Sequence, residues 1–293
     1  MRKKILLVLN PHSGQKKANS NLINIISLLS SAEYDCSVHV TNRTGDATEY
    51  VSAYAQNFDL VVCIGGDGTL NETISGILSS GVDIPLGYIP SGSTNDFANS
   101  LGLSKNIIQA TKDIITGKPH PCDIGSFNGK HFSYIASFGA FTKASYDTPQ
   151  NLKNAVGHFA YLMEGLKEVP NIKPTHAKIT IDGVEYEDDY IFCSVSNTTS
   201  IAGVIMLKED DVDLNDGLFE VILVKNPKNT VEVSEIAMAF ALRQYSSTVQ
   251  FISAKKICFE TSSPQNWTLD GEFEQGGKNI EIINLESAIK IIK

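Results

Sequence analysis

LVVCIGGDGTLNE, residues 60–72, decides how the chain reads. An apolar run from Leu60 to Ile64 stops at Gly65-Gly66-Asp67-Gly68, and Thr69 and Glu72 then stand at the spacing of a helix capping box. Each glycine weakens regular structure by roughly 0.5–1 kcal/mol relative to alanine. A strand–helix junction this rich in glycine therefore needs bare backbone for a reason.

One reason is a phosphate. Successive N–H groups without side chains can converge as an anion-binding nest, and the helix that follows adds unpaired amides and the positive end of its dipole. The spacing excludes two common phosphate motifs. G-x-G-x-x-G fails because Asn71 stands at the third glycine position, and no G-K-[ST] occurs anywhere. Asp67 inside an anion nest makes sense if Mg²⁺ accompanies the phosphate. Glu72 has a plainer alternative, which is to cap its own helix.

Outward from this turn, residues 1–120 alternate strand and helix signals. Strands read at 5–9, 38–41, 60–64 and 86–89, and helices at about 16–31, 46–56, 70–80 and 104–116. Asp46 and Glu49 read as a cap and an N3 carboxylate for the second helix. The alternation implies a parallel sheet covered on both faces. Ligands of such sheets bind at the carboxyl ends of the strands. Three turns lie at such ends: NPHSG (10–14), which includes Asn10 and Ser13, then Gly65–Gly68, then PSGSTNDF (90–97).

From about residue 122 the texture is mainly antiparallel β, expected to form a sandwich or barrel. Asn128-Gly129 and Asp182-Gly183 each join two strand-like runs, a hairpin signal. Later strands read at 218–224, 248–252 and 256–260, with helices near 153–168 and 230–242, the second capped by Asn229 and Glu232. The expected division is an α/β nucleotide-binding domain over 1–121 and a β-rich substrate domain over 122–279, with 280–293 able to return to either.

The 293 residues carry a net charge of −9, which argues against nucleic acid as a partner. Lys225, Lys228, Lys255 and Lys256 are candidates for a local basic patch toward anionic lipid, against solvated lysines as the plain reading. No apolar run approaches the ~18 residues of a membrane span. The apolar run after the basic start is too short for a signal peptide. Five scattered cysteines form no C-x-x-C pair, and Cys63 and Cys193 lie in apolar runs. These features point to buried thiols and a cytoplasmic protein. Trp267 reads as a core residue.

NPHSG, GGDGTLNE and SGSTNDFA, in this order and spacing, resemble the diacylglycerol kinase catalytic family, within the larger group that includes sphingosine kinases and NAD kinases. CDIG at 122–125, LNDGLFEV at 214–221 and LDGE at 269–272 extend the resemblance over nearly the whole chain, and it is strongest to the soluble bacterial lipid kinases. One departure is Ser93, where the family usually has Thr; the hydroxyl is kept. The resemblance implies ATP contacts at Asn10, Thr41, Gly65, Gly66, Asp67, Gly68, Thr69, Leu70, Asn71 and Ser93. It implies acids near a catalytic Mg²⁺ at Asp67 and Asp96, a general base at Glu272 and a supporting acid at Asp123. Phosphoryl transfer does require a base beside the acceptor hydroxyl. The plain alternative for LDGE is a β-turn on Asp270-Gly271 with Glu272 solvated.

EDDVDLNDG, 209–217, is too acidic to pass over, but it is not an EF-hand. Counted from Asp211, the glycine position is Asp216 and the twelfth position is Ile222. The resemblance implies a structural Mg²⁺ held by Asp213, Asp216 and the Leu218 carbonyl. The reaction it implies is ATP-dependent phosphorylation of a lipid hydroxyl, foremost that of diacylglycerol, by a cytoplasmic protein transiently at the membrane surface; a homodimer stays open. The alternatives are another lipid alcohol (phosphatidylglycerol or a sphingoid base), an NAD kinase, and a nucleotide-binding regulator without turnover. A regulator would have no use for a base, and an NAD kinase is disfavoured by GSTNDF and LDGE.

Overall fold

A computed structural model of the chain describes residues 2–13, 17–139, 173–198, 200–201, 205–206, 213–242 and 246–293. The helix expected near 153–168, Gly14 and residues 209–212 of the acidic loop lie outside them. The chain divides into two compact units, residues 1–124 with 286–293, and residues 125–285.

The first unit is a parallel sheet. Its strands are β1 (Lys3–Leu9), β2 (Tyr34–Val40), β3 (Leu60–Gly65) and β4 (Pro85–Pro90). Pairing runs β2–β1–β3–β4, with Ile5 opposite Cys36 and Leu60, and Val62 opposite Gly87. The end of the last strand, β17 (Asn279–Ile292), adds to β4, with Lys290 opposite Pro85. Burial on both faces explains the uninterrupted apolar runs. Ile5, Leu7 and Leu9 pack with Ile25 and Leu29 of α1 (Lys17–Ser31) and Ala110 and Ile114 of α5 (Ile107–Thr116). Leu6 and Val8 point the other way along the strand and are equally buried. On that face lie α2 (Asp46–Tyr54) and α3 (Asp67–Ser80), which approach closely because Gly76 has no Cβ to meet Val51.

Two capping expectations are corrected. The helix-starting residue of α3 is Asp67, with Gly66 at the N-cap, so Thr69 and Glu72 lie inside the helix and form no capping box. Gly45, in the left-handed region, occupies the N-cap of α2, and Asp46 is its first helical residue. Asp46 instead accepts the Asn42 amide at 2.8 Å and lies 3.2 Å from His39 Nε2. The cap at α6 (Thr230–Leu242) follows the pattern: Asn229 Oδ1 accepts the Glu232 amide, and Glu232 accepts the Lys228 amide.

The second unit is antiparallel. β8 (Thr175–Ile181) and β9 (Val184–Ser196) form a hairpin, and β9 forks the sheet. Its first half pairs with β8, while its second half pairs with both β7 (Ile135–Gly139) and β12 (Phe219–Lys225). β13 (Val249–Ala254) pairs with β12, and β14 (Lys256–Thr261) lies between β8 and β17. β15 (Asn266–Leu269) joins β7 to β16 (Glu272–Gln275). Trp267 is 2% exposed and centres the core, edge-on to Phe127, Phe138 and Phe259 at 4.9–5.2 Å.

Three two-residue hairpins share one device. Asn128-Gly129, Asp182-Gly183 and Asp270-Gly271 all have positive φ at both residues, the geometry of a type I′ turn. In each, the side chain of the first residue docks on a neighbouring strand. Asn128 Oδ1 accepts the Glu281 amide at 2.8 Å. Asp182 accepts the Lys255 and Lys256 amides at 3.0 and 2.8 Å. Asp270 accepts three amides, those of Ser133, Tyr134 and Ile135.

The proposed basic patch does not stand as a set of free lysines. Lys225 pairs with Asp188 at 2.9 Å and Lys256 with Glu281 at 2.5 Å. Cys63 and Cys193 are fully buried, and burial pushes the Cys63 thiol up to about 12 and the Cys193 thiol well above its usual value.

Candidate active site

Three strand ends of the first unit are tied into one cluster. The Asn10 amide donates to Ile64 O at 3.0 Å, and its side chain donates to Thr69 Oγ1 at 2.9 Å. Ser13 Oγ lies 2.9 Å from Ser91 Oγ, and the Ser91 amide donates to Gly65 O at 2.8 Å. The turns after β1, β3 and β4 therefore hold one another without a ligand.

The glycines also have a packing reason, beside the one the sequence suggests. None of Gly65, Gly66 and Gly68 has a positive φ, and Gly66 is extended at φ −94°, ψ −174°. Bare backbone is needed at Gly66 and Gly92 because the turns after β3 and β4 touch, and at Gly65 because Thr69 of α3 stands beside it. A Cβ on Gly92 would lie 2.6 Å from Gly66 Cα, and one on Gly65 would lie 2.6 Å from Thr69 Cβ. What remains for an anion is the first turn of α3, whose amides precede the helix's own hydrogen-bond ladder.

Asp67 organises the third turn. Its Oδ2 accepts from Thr94 Oγ1 at 3.2 Å and the Asp96 amide at 3.1 Å, and its Oδ1 accepts the Phe97 amide at 3.3 Å. It thus caps the short α4 (Asp96–Ser100) from another strand end. Asn95, left-handed at φ 52°, is buried, and its side chain closes on the Gly92 amide and carbonyl at 2.8 and 3.0 Å. Ser93 is exposed beside them. Asn71 lies part-buried in the second turn of α3, and Leu70 is fully buried, with its amide donating to Gly66 O at 3.0 Å.

Thr41 follows the edge strand β2, is buried, and donates its amide to Leu9 O at 2.9 Å. Glu72 is the residue that sequence reasoning underrated. Its carboxylate reaches across from α3 to the start of α2, accepting the Gly45 amide at 2.8 Å and the Ala47 amide at 3.3 Å. Thr48 Oγ1 returns a bond to Glu72 O at 2.9 Å. The loop that carries Thr41 is thereby pinned to the helix that carries GGDG.

Asp123, also in the first unit, is fully buried and accepts the Ser287 amide at 2.7 Å. Ser287 is held in the left-handed region at φ 53°.

In the second unit, Glu272 opens β16, directly after the Asp270-Gly271 turn, and is exposed. The turn and the exposed Glu272 match the plain reading of LDGE, and they leave the carboxylate accessible as a candidate base. Asp213 and Asp216 are exposed, and each accepts an amide two residues on, from Asn215 at 3.1 Å and from Leu218 at 2.9 Å. Leu218 O accepts from Asn284 Nδ2 at 2.9 Å. Among the described residues, no group of three or more His, Cys, Asp or Glu is gathered to hold a metal ion. The donor set at 213–218 is all oxygen, carboxylates and a carbonyl, which is the chemistry Mg²⁺ takes.

Comparison with known proteins agrees with these motifs. The diacylglycerol kinase catalytic domain matches residues 4–127, and the YegS C-terminal NAD kinase β-sandwich-like domain matches residues 136–288. A diacylglycerol kinase of Bacillus subtilis is 34% identical over 295 aligned residues, covering 99% of this chain and 96% of that one. The chain belongs to the diacylglycerol kinase family. A diacylglycerol kinase of Staphylococcus aureus is 33% identical over 99% of this chain and 92% of its own length. A crystal structure of a diacylglycerol kinase from Bacillus anthracis superposes with a TM-score of 0.77 at 27% identity, covering 99% of this chain and 96% of that one. The fold is therefore the α/β plus antiparallel β-sandwich-like arrangement of this family, and the chain is a lipid kinase of the diacylglycerol kinase type.

Proposed function

We propose that the protein transfers the γ-phosphate of ATP to the free hydroxyl of diacylglycerol, giving phosphatidic acid and ADP. The observation that carries this reading is the full-length relation to a bacterial diacylglycerol kinase, with GGDG, NDF and LDGE all in place. Glu272 takes the proton from the lipid hydroxyl as its oxygen attacks the γ-phosphorus and the bond to ADP breaks. Asn10, Ser13, Thr41, Ser93 and residues 65–71 bind and orient the nucleotide. Asp123, kept buried against the Ser287 amide, supports the base.

Mg²⁺ supplies charge neutralisation at the phosphates when bound. Asp67 and Asp96 would hold the nucleotide-associated ion, and Asp213, Asp216 and the Leu218 carbonyl a structural one. The protein works in the cytoplasm and meets the bilayer transiently to reach its substrate; no helix among the described residues is long and apolar enough to cross a membrane.

The test is transfer of labelled phosphate from ATP in mixed micelles, with diacylglycerol, phosphatidylglycerol, a sphingoid base and NAD compared in parallel. Labelled phosphatidic acid, dependent on Mg²⁺ and dominant over other products, is expected. Another lipid product corrects only the acceptor, whereas NAD phosphorylation without lipid product overturns the assignment. ATP hydrolysis or binding with no acceptor turned over would favour the regulator.

A further inference from the structure

The hairpin that carries Glu272 is held from below by a residue that no functional reading has used. Asp270 takes the left-handed conformation at φ 49°, followed by Gly271 at φ 87°, and Leu269 pairs with Glu272 to close the turn. The Asp270 side chain turns back over the segment that enters β7. Oδ2 accepts the Ser133 amide at 2.5 Å, and Oδ1 accepts the Tyr134 and Ile135 amides at 2.9 and 3.1 Å. The Asp270 amide donates to Ile135 O at 2.9 Å, and the next ladder pairs, Leu269 with Ala136 and Thr268 with Ser137, continue the contact. Four hydrogen bonds, three of them to a carboxylate, fix the turn against one short stretch of backbone. Bonds to an ionised acceptor are roughly twice as strong as neutral ones.

This grip exceeds what a hairpin needs to form. The same type of turn at Asp182-Gly183 joins strands of seven and thirteen residues and takes two amides. The turn at Asp270-Gly271 joins two strands of only four residues each, the outer of which, among the described residues, pairs with β15 alone. So short a ribbon would sway at its tip without the clamp. Glu272 is the first residue beyond that tip and is exposed.

We propose that Asp270 is the positioning residue of the catalytic base: its carboxylate, seated on the 133–135 amides, sets where Glu272 stands when the lipid hydroxyl arrives. The inference rests on the reading of Glu272 as base. It assigns Asp270 no proton transfer and no contact with substrate.

The test compares D270N with D182N in the full-length protein, with E272Q beside them. Asparagine tolerates the left-handed turn but presents an NH₂ group where one carboxylate oxygen accepted. D270N is expected to lower kcat by about 10–100-fold, the scale of a misplacement near 1 Å. The KM for ATP should stay within about twofold, since the clamp belongs to the second unit and the nucleotide-binding turns to the first, and amide exchange at 133–135 should quicken by roughly tenfold. D182N loses the same kind of clamp on residues 255–256 and should lower the melting temperature with kcat unchanged. D270G, which keeps an I′-compatible Gly-Gly turn and removes the carboxylate, should repeat the D270N result. Wild-type kcat in D270N and D270G beside an inactive E272Q overturns the proposal and leaves the base in place. Equal kcat losses in D182N and D270N, or failure of both Asp270 variants to melt cooperatively, reduce Asp270 to a structural residue and overturn it too. An active E272Q removes the base reading itself, whatever Asp270 does.

Discussion

Replacing Gly92 by alanine tests whether the turns after β3 and β4 must touch. The added Cβ would stand 2.6 Å from Gly66 Cα and 2.8 Å from Asn95 Oδ1, about 1 Å inside ordinary contact on two sides. Neither neighbour is a flexible side-chain end: one is backbone, and the other is held by the Gly92 amide itself at 2.8 Å. Overpacking of this kind costs about 1–3 kcal/mol. At about 2–4 °C per kcal/mol for chains of this size class, the melting temperature should fall by roughly 2–12 °C. The loops relieve part of the clash by moving apart. A bound phosphate chain must then restore them, so ATP affinity should weaken by about 2–10-fold, on a scale where 1.4 kcal/mol is tenfold. Gly66→Ala is the internal comparison, because its Cβ would meet Gly92 Cα at 3.2 Å, a contact that a shift of a few tenths of an ångström relieves. Calorimetry of ATP binding and thermal melts should therefore rank the variants wild type, G66A, G92A. An unchanged G92A, or a G66A worse than G92A, would refute the packing argument and return the glycines to direct contact with the ligand.

Glu72→Ala strips the Gly45 and Ala47 amides of their acceptor and should cost ~1–3 kcal/mol, with faster amide exchange at both positions and weaker ATP binding if Thr41 contacts the nucleotide. Asp216→Ala should diminish the thermal stabilisation that Mg²⁺ gives in the absence of ATP, a mass-action effect of a ligand that binds only the folded chain; D67N is run beside it, and equal Mg²⁺ responses in wild type and D216A would remove the structural ion. Asp46 is held below the usual carboxylate range, first by the Asn42 amide and then by His39. Its contribution to stability is present above the unfolded value of about 3.9 and lost as pH falls through the lower folded value. The difference in melting temperature between wild type and D46N should therefore shrink between about pH 5 and pH 3.

The parallel half was legible because its physics is local. Strands buried on both faces read as unbroken apolar runs, and β1 and β3 are buried along almost their whole length. The edge strand β2 was read short, at 38–41 against 34–40, because its exposed side breaks the apolar pattern. Two hairpins were legible from Asn-Gly and Asp-Gly. The third carries the same Asp270-Gly271 signal, but its flanking strands are four residues long and give no alternation to read. Capping held at α6 but failed at α2 and α3, for a more general reason. Glu72 and Asp46 stand at capping spacing, yet a carboxylate goes to whichever amides the tertiary fold brings near, and for Glu72 these belong to another helix. No spacing rule carries that information.

The same lesson changes what GGDG is. As a local motif it suggests a cradle shaped by glycine conformations, with an acid waiting for a metal. In the folded chain the glycines have ordinary dihedrals, and the acid already holds the start of α4. Gly66 and Gly92 remove bulk so that the turns after β3 and β4 can press together, Gly65 makes room for Thr69 of α3, and Asn10, Ser13, Asp67 and Ser91 lock the three turns through side-chain bonds. A phosphate approaching the first turn of α3 would then meet amides whose positions are fixed by other strands, not by the loop alone. That is preorganisation: the ordering cost falls on folding rather than on binding. Any change that loosens one turn should therefore weaken the nucleotide through the others, including changes at Gly92 or Asn95 that need touch no phosphate.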